Sequence, residues 1–161
     1  MVSSHPAPHG LVRPVPMVSE TIAIAADHAG VELKSLLKRD LESAGFGVLD
    51  LGTDSVDSVD YPDFANALAN ALLARRAARG VLICGTGIGM SIAANRHRGI
   101  RAAVCHDAVS ARLARQHNDA NVLALGARVL GPEVARDCLR VFLETAFDGG
   151  ERHARRVQKM N

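Results

Sequence analysis

From Thr21 onward, short apolar runs alternate with segments whose apolar residues recur every three or four positions, and this alternation restricts the chain more than any other feature. Such a pattern marks βαβ units, in which parallel strands form a sheet covered by helices on both faces. Strands are expected at Ile22 to Ala26, Gly47 to Leu51, Gly80 to Cys84, Ala102 to Cys105 and Val122 to Leu125. Leu33, Leu36, Leu37, Leu41 and Ala44 form one helical stripe that Gly45 stops. Phe64, Leu68, Leu72 and Leu73 repeat the pattern in the second crossover. Pro132, at a first-turn position, opens a last helix carrying Val134, Cys138, Leu139, Phe142 and Ala146. The result is an α/β chain of five strand and helix pairs.

The 161 residues, 48% of them hydrophobic, suffice for one domain with a single core. Nineteen Lys and Arg against seventeen Asp and Glu leave a formal charge of +2, too small a field to draw the chain to nucleic acid or a membrane. Cys84, Cys105 and Cys138 are odd in number and widely spaced, which suggests neither a disulfide framework nor a zinc site and fits a reducing compartment. No stretch approaches the roughly 20 apolar residues that span a bilayer, and the first residues lack the apolar core of a secretory signal, so a cytoplasmic location is expected. Pro6, Pro8, Pro14 and Pro16 stand among small and polar residues. Residues 1–20 are therefore expected to be a flexible extension, with Met17 as an alternative start, and residues 21–161 to be the functional domain.

In an open parallel sheet, ligands bind beyond the carboxyl ends of the strands. Strand one ends in Asp27-His28, strand three in Cys84-Gly85-Thr86-Gly87-Ile88-Gly89 and strand four in Cys105-His106-Asp107, while His117-Asn118-Asp119 precedes strand five. All could face one crevice. The glycine-rich run stands between a strand and a helix expected to begin near Ile88, so its amides can converge on an anion. Its GxGxG spacing is neither a dinucleotide fingerprint nor a phosphate loop, and a tight strand-to-helix turn explains it equally well. Cys84 adds specificity, because a thiol beside convergent amides is placed to act as a thiolate, although buried cysteines are commonly core residues. Cys105 and Cys138 are read as core.

His5 and His9 lie in the extension and His97 in the basic turn Arg96-His97-Arg98, whereas His28 and His117 can bind an anion or shuttle a proton, or be structural. His106 is ambiguous. Near the C-terminus, Arg152 and Arg156 would share one helix face, either to clamp a phosphate or to form a solvated basic tail that complements the helix dipole.

Together the segments Asp27-His28-Ala29-Gly30, Asp60-Tyr61-Pro62, CGTGIGMSIAAN from Cys84, GIRAAVC from Gly99, RQHNDANVLALGARV from Arg115 and GGERHARRV from Gly149 resemble the ribose-5-phosphate isomerase B and galactose-6-phosphate isomerase family over about residues 21–157. The resemblance implies a Rossmann-like three-layer αβα sandwich with a five-stranded parallel sheet, self-associated as a homodimer or tetramer with active sites shared between subunits. It also implies aldose-ketose isomerisation of a phosphorylated sugar through a cis-enediolate, with no metal and no nucleotide cofactor. Cys84 matches the family's base and Thr86 the residue that helps move the proton between oxygens. The amides of Gly85, Gly87 and Gly89 match the anion hole, and His117 matches the residue that assists ring opening. Asp27, Tyr61 and Asn118 match contacts to sugar hydroxyls; His28, Arg128, Arg152 and Arg156 match phosphate contacts, some supplied by the partner subunit. One branch of the family carries a glutamate base six residues after the cysteine position, where this chain has Met90. Glu151 is an insertion relative to the family pattern and is expected to point outward.

The leading expectation is interconversion of ribose 5-phosphate and ribulose 5-phosphate. The same chemistry on galactose 6-phosphate, allose 6-phosphate or an erythrulose phosphate is the nearest alternative, and a non-catalytic sugar-phosphate sensor is the alternative from another class, which the presence of Cys84 and Thr86 opposes.

Overall fold

A computed structural model describes residues 19–161; most of the extension expected at residues 1–20 lies outside the described residues. Five strands, β1 (Thr21–Ala26), β2 (Gly47–Asp50), β3 (Arg79–Cys84), β4 (Ala102–Val104) and β5 (Val122–Gly126), form one sheet in the order β2-β1-β3-β5-β4, with every neighbouring pair parallel. Helices α1 (Val31–Ser43), α2 (Tyr61–Leu73), α3 (Ile88–Ala94), α4 (Ala108–Asn118), α5 (Pro132–Glu144) and α6 (Glu151–Met160) complete the chain. The expected α/β sandwich and its five strands are therefore present, with strand ends shifted by a residue or so.

Alternation along the central strands divides the core in two. Ile22, Ile24, Val81, Ile83, Leu123 and Leu125 pack with Leu33, Leu37 and Leu41 of α1, Ala111 and Ala114 of α4, and Cys138 and Phe142 of α5. Ala23, Ala25, Leu82, Cys84, Val122 and Ala124 face the other way, onto Leu68 and Leu72 of α2 and Met90 and Ala94 of α3. Cys105 and Cys138 are core residues, as read from the sequence. Four members of the expected stripes are not: Ala44 is exposed just past the end of α1, Leu73 is exposed at the end of α2, Val134 is exposed in the first turn of α5, and Ala146 lies beyond α5, which stops at Glu144. Thr145 ends that helix in an extended conformation, so the 3.6-residue period no longer applies there.

Glu20, assigned to the extension from sequence, is held by Arg79, whose Nε and Nη2 donate to its two carboxylate oxygens at 2.7 and 2.8 Å. At the other end of the first strand pair, the Lys34 side chain is 1% exposed and donates to Asp50 at 2.8 Å and Asp54 at 2.7 Å. Lys38 reaches the second oxygen of Asp50 at 3.2 Å. Asp50 also accepts the Gly52 N–H at 2.9 Å. These contacts fasten the loop between β2 and α2, which delivers Tyr61 to the carboxyl edge. Burial pushes the Asp50 carboxyl up, but the Lys34 ammonium, the Gly52 amide and Lys38 outweigh it and hold the group below its usual range.

Because the folded value is depressed, the stability this network contributes is complete above the ordinary carboxylate range near pH 4 and is lost as pH falls through the folded value. Asp50→Ala, which leaves the Lys34 ammonium buried against Asp54 alone, is expected to lower stability by about 3 kcal/mol. Denaturant unfolding at neutral pH and at pH 3 checks both effects, and the gap between parent and variant should narrow in acid.

Candidate active site

The β3 strand pairs with β5 so that Ile83 faces Leu125 and Cys84 faces Gly126. Beyond this pairing the chain after Cys84 lies on the end of β5. The Ala127 N–H donates to the Cys84 carbonyl at 2.8 Å and the Arg128 N–H to the Gly85 carbonyl at 3.0 Å. A methyl group on Gly126 would stand 2.7 Å from the carbonyl carbon and oxygen of Thr86, so only glycine allows the two segments to touch. Gly87 adopts φ +79° and would place a Cβ 3.0 Å from the Leu125 carbonyl carbon.

This turn folds back on the thiol. The Gly87 N–H donates to Cys84 Sγ at 3.1 Å, and the Ile88 N–H donates to Thr86 Oγ1 at 3.2 Å. Two of the amides expected to converge on an anion are thus engaged within the turn. The amides of Gly85 and Thr86 have no acceptor among the described residues, and Gly89, in the first turn of α3, has none by helix geometry. Cys84 is 4% exposed, at the base of this loop, whereas Thr86 is exposed above it.

Neighbouring elements surround the loop. Asp27, 6% exposed, caps the short 3-10 turn His28–Gly30 by accepting the Ala29 N–H at 2.9 Å, and its own N–H donates to the Ile83 carbonyl at 3.1 Å. His28 Nδ1 accepts the Val59 N–H at 3.2 Å, which in the neutral ring puts the proton on Nε2. The Tyr61 ring, at the start of α2, presses on Gly89, where a Cβ would lie 2.6 Å from Tyr61 Cζ. Arg128 extends across Gly85, with Nη1 3.3 Å from the position of a Cβ there. Asp27, His28, Tyr61, Cys84, the Gly85–Gly89 loop and Arg128 therefore form one group at the carboxyl edge.

His117 and Asn118 are not part of it. The sequence placed them at a strand end facing the same crevice; they occupy the last turn of α4, and the chain then enters β5 at its amino end. In a parallel sheet the residues just before a strand lie at the edge opposite those just after one. The six residues of β3 span about 20 Å between these edges. Arg101, immediately before β4, confirms the position by donating to the Asn118 carbonyl at 3.1 Å. A second group forms here. The His117 and His153 rings stack with centroids 4.6 Å apart and planes 8° apart, and α6 carries Arg152 and Arg156 four residues apart, both exposed. Glu151 is exposed, as expected. Among the described residues no carboxylate pairs with Arg128, Arg152 or Arg156, which leaves three guanidinium groups available to an anion. No group of three or more His, Cys, Asp or Glu among the described residues is arranged to hold a metal ion, and no helix among them is long and apolar enough to cross a membrane.

Sequence reasoning passed over His153 and Lys34. His153 stood in a basic run with no partner to recommend it, and nothing in the order of residues shows that it meets His117. Lys34 occupies a helix position where a lysine is ordinarily solvated, and its burial depends on two aspartates distant in sequence.

An αβα sandwich with a thiol under a glycine-rich turn and the unpaired Arg128 guanidinium beside it at one sheet edge has the layout of a protein that handles small anionic substrates. Residues 22–160 match the Ribose/Galactose Isomerase family pattern. Ribose-5-phosphate isomerase B of Escherichia coli is 47% identical over 137 residues, 85% of this chain and 91% of that protein. D-erythrulose-4-phosphate isomerase of Pectobacterium atrosepticum is 47% identical over 131 residues, 81% of this chain and 86% of that protein. The crystal structure of a ribose 5-phosphate isomerase from Thermotoga maritima superposes with a TM-score of 0.85 at 53% identity, covering 88% of this chain and 97% of that one. The chain belongs to the ribose/galactose isomerase family and is a sugar-phosphate isomerase of the ribose-5-phosphate isomerase B type.

The three thiols differ in environment. Burial pushes Cys105 up, and burial pushes Cys138 up to about 11, so both stay protonated through the neutral range. Iodoacetamide followed by peptide mapping is expected to label Cys84 before Cys105 or Cys138, and a substrate analogue should protect it. Gly126→Ala, which forces the turn off the end of β5, should erase that preference.

Proposed function

We propose that the protein interconverts D-ribose 5-phosphate and D-ribulose 5-phosphate, with Cys84 as the base. The observation that supports this most is the seating of Sγ at the base of the turn, hydrogen-bonded by Gly87, with the open amides of Gly85 and Thr86 beside it. Starting from the aldose, Cys84 as thiolate takes the proton from C2. The released electron pair forms the C1–C2 double bond, and the carbonyl π pair moves onto O1, where the loop amides hold the charge. Thr86 helps the O2 proton pass to O1. The thiol then returns its proton to C1 as the O2–C2 carbonyl forms, which completes the ketose with no net gain or loss of atoms or electrons. Met90, fully buried and without a titratable group, offers no competing base.

Ribose 5-phosphate is mainly a furanose, so the ring must open first. His117 assists that step: the O1 proton leaves, the C1–O4 bond breaks, O4 gains a proton, and C1–O1 becomes a carbonyl. Asp27, Tyr61 and Asn118 hold sugar hydroxyls, while His28, Arg128, Arg152 and Arg156 hold the phosphate. Because His117, Asn118 and the α6 arginines lie at the sheet edge opposite Cys84, one copy cannot bring all of these groups to one substrate. The site is accordingly completed by a second copy of the chain in a homodimer or larger assembly. The exposed Ile88 and Ile92 on α3 and Val109 and Leu113 on α4, which flank the β4 edge, supply apolar surface for such a contact.

A shorter substrate remains a second reading, since the relative from Pectobacterium atrosepticum is named for an erythrulose phosphate at an identity equal to that of the ribose enzyme from Escherichia coli. Initial rates on ribose 5-phosphate, erythrose 4-phosphate and galactose 6-phosphate decide between them, with the five-carbon sugar expected to turn over fastest. Cys84→Ala should abolish isomerisation, by about 10⁴-fold or more, while binding of the sugar phosphate persists.

Mixing tests the sharing of sites. Cys84→Ala and His117→Ala are each expected to be nearly inactive, yet subunit exchange between them should restore about a quarter of the sites, because half of randomly formed dimers are mixed and each of those holds one intact site. No recovery after exchange verified by mass spectrometry would place both residues in the same subunit's site.

A further inference from the structure

His117 is exposed on the last turn of α4, where nothing in its own helix fixes the ring. An imidazole in that position ordinarily samples several rotamers. Here it lies parallel to His153, whose side chain is only 12% exposed. The segment that brings His153 into place is stitched to α4 on both sides. Arg115 Nε donates to the Thr145 carbonyl at 3.2 Å, and the Asp148 N–H donates to the Gln116 carbonyl at 3.0 Å. The Asp148 carboxylate accepts the Gly150 N–H at 3.3 Å, next to the start of α6, and its other oxygen stands 4.0 Å from His153 Nε2. The contacts made by the Arg115 side chain and the Gln116 carbonyl therefore directly precede His117, and the His153 ring arrives on top of it.

We propose that His153 is a positioning residue that fixes the plane of the His117 imidazole. The inference rests on the role given to His117 in ring opening. Proton transfer needs the donor nitrogen within hydrogen-bond reach and in line with the sugar oxygen, and a misplacement of about 1 Å can cost 100-fold. A stacked partner restricts rotation of the ring while leaving its edge nitrogens open. An aromatic ring without nitrogens can do the same work, so His153→Phe is expected to substitute for it where His153→Ala cannot.

Ring opening can be read apart from isomerisation. In the full-length Cys84→Ala protein the sugar is not converted, but enzyme-dependent exchange between the α and β furanose forms of ribose 5-phosphate, measured by NMR exchange spectroscopy, reports opening and closing alone. Adding His117→Ala should return exchange to the buffer rate. His153→Ala should lower the enzyme-dependent rate about tenfold with the dissociation constant for ribose 5-phosphate little changed, and His153→Phe should retain most of it. Thermal unfolding of each variant establishes that the comparison is between folded proteins, and if His153→Ala does not fold, His153→Phe against His153→Leu provides the same contrast. Unchanged exchange in the alanine variant, or equal loss in the phenylalanine and alanine variants, overturns the proposal while leaving the role of His117 intact. Exchange that persists in His117→Ala overturns that role and the positioning inference with it.

Discussion

The contact on which the site depends is between two stretches of main chain. The turn after β3 lies against the end of β5, and it does so because Gly126 leaves room for the Thr86 backbone and Gly87 takes a left-handed conformation against Leu125. A single methyl group on Gly126 would meet Thr86 at 2.7 Å. That proximity turns the Gly87 amide toward Cys84 Sγ and leaves the Gly85 and Thr86 amides unpaired at the sheet edge. Hydrophobic burial builds the sandwich, but it is steric permission in two glycines that converts the end of a buried strand into a place where chemistry can occur.

Legibility in the sequence followed the range of the interaction that decides each feature. The strands and the stripes of α1, α2 and α5 were readable because period and length are local properties, and their central residues are buried as the pattern required. Errors fell at the ends, where the period gives no warning that α5 stops at Glu144. The residues at the carboxyl edge were readable too, since strand ends in a parallel sheet share one side. His117 and Asn118 fall at the far edge for the same reason in reverse: they precede a strand, and α4 carries the chain back from the carboxyl edge to the amino end of β5. The stack of His117 on His153 and the burial of Lys34 were invisible, because each depends on packing between elements far apart in sequence.

Charge is used in two opposite ways in the molecule. Around Lys34, an ammonium withdrawn from water is surrounded by carboxylates and holds a loop still. Arg128, Arg152 and Arg156 are left in solvent with no carboxylate among the described residues to satisfy them. The first arrangement is complete within the chain and serves rigidity; the second leaves positive charge open to solvent. Glu151 sits between these regimes, exposed in the first turn of α6, where a negative charge complements the helix amino terminus without approaching the paired arginines' shared face.

The separation of Cys84 from His117 by the height of the sheet has a bearing on how damage to the molecule would be noticed. The chain has its own two-sided core, closed by its own strands and helices. With sites shared between copies as proposed, structural integrity and chemical competence are lodged at different levels of organisation. A substitution confined to the outer faces of α3 or α4 can leave the melting curve of the single chain untouched and still silence turnover, and the lesion would then be found by dilution series rather than by heating.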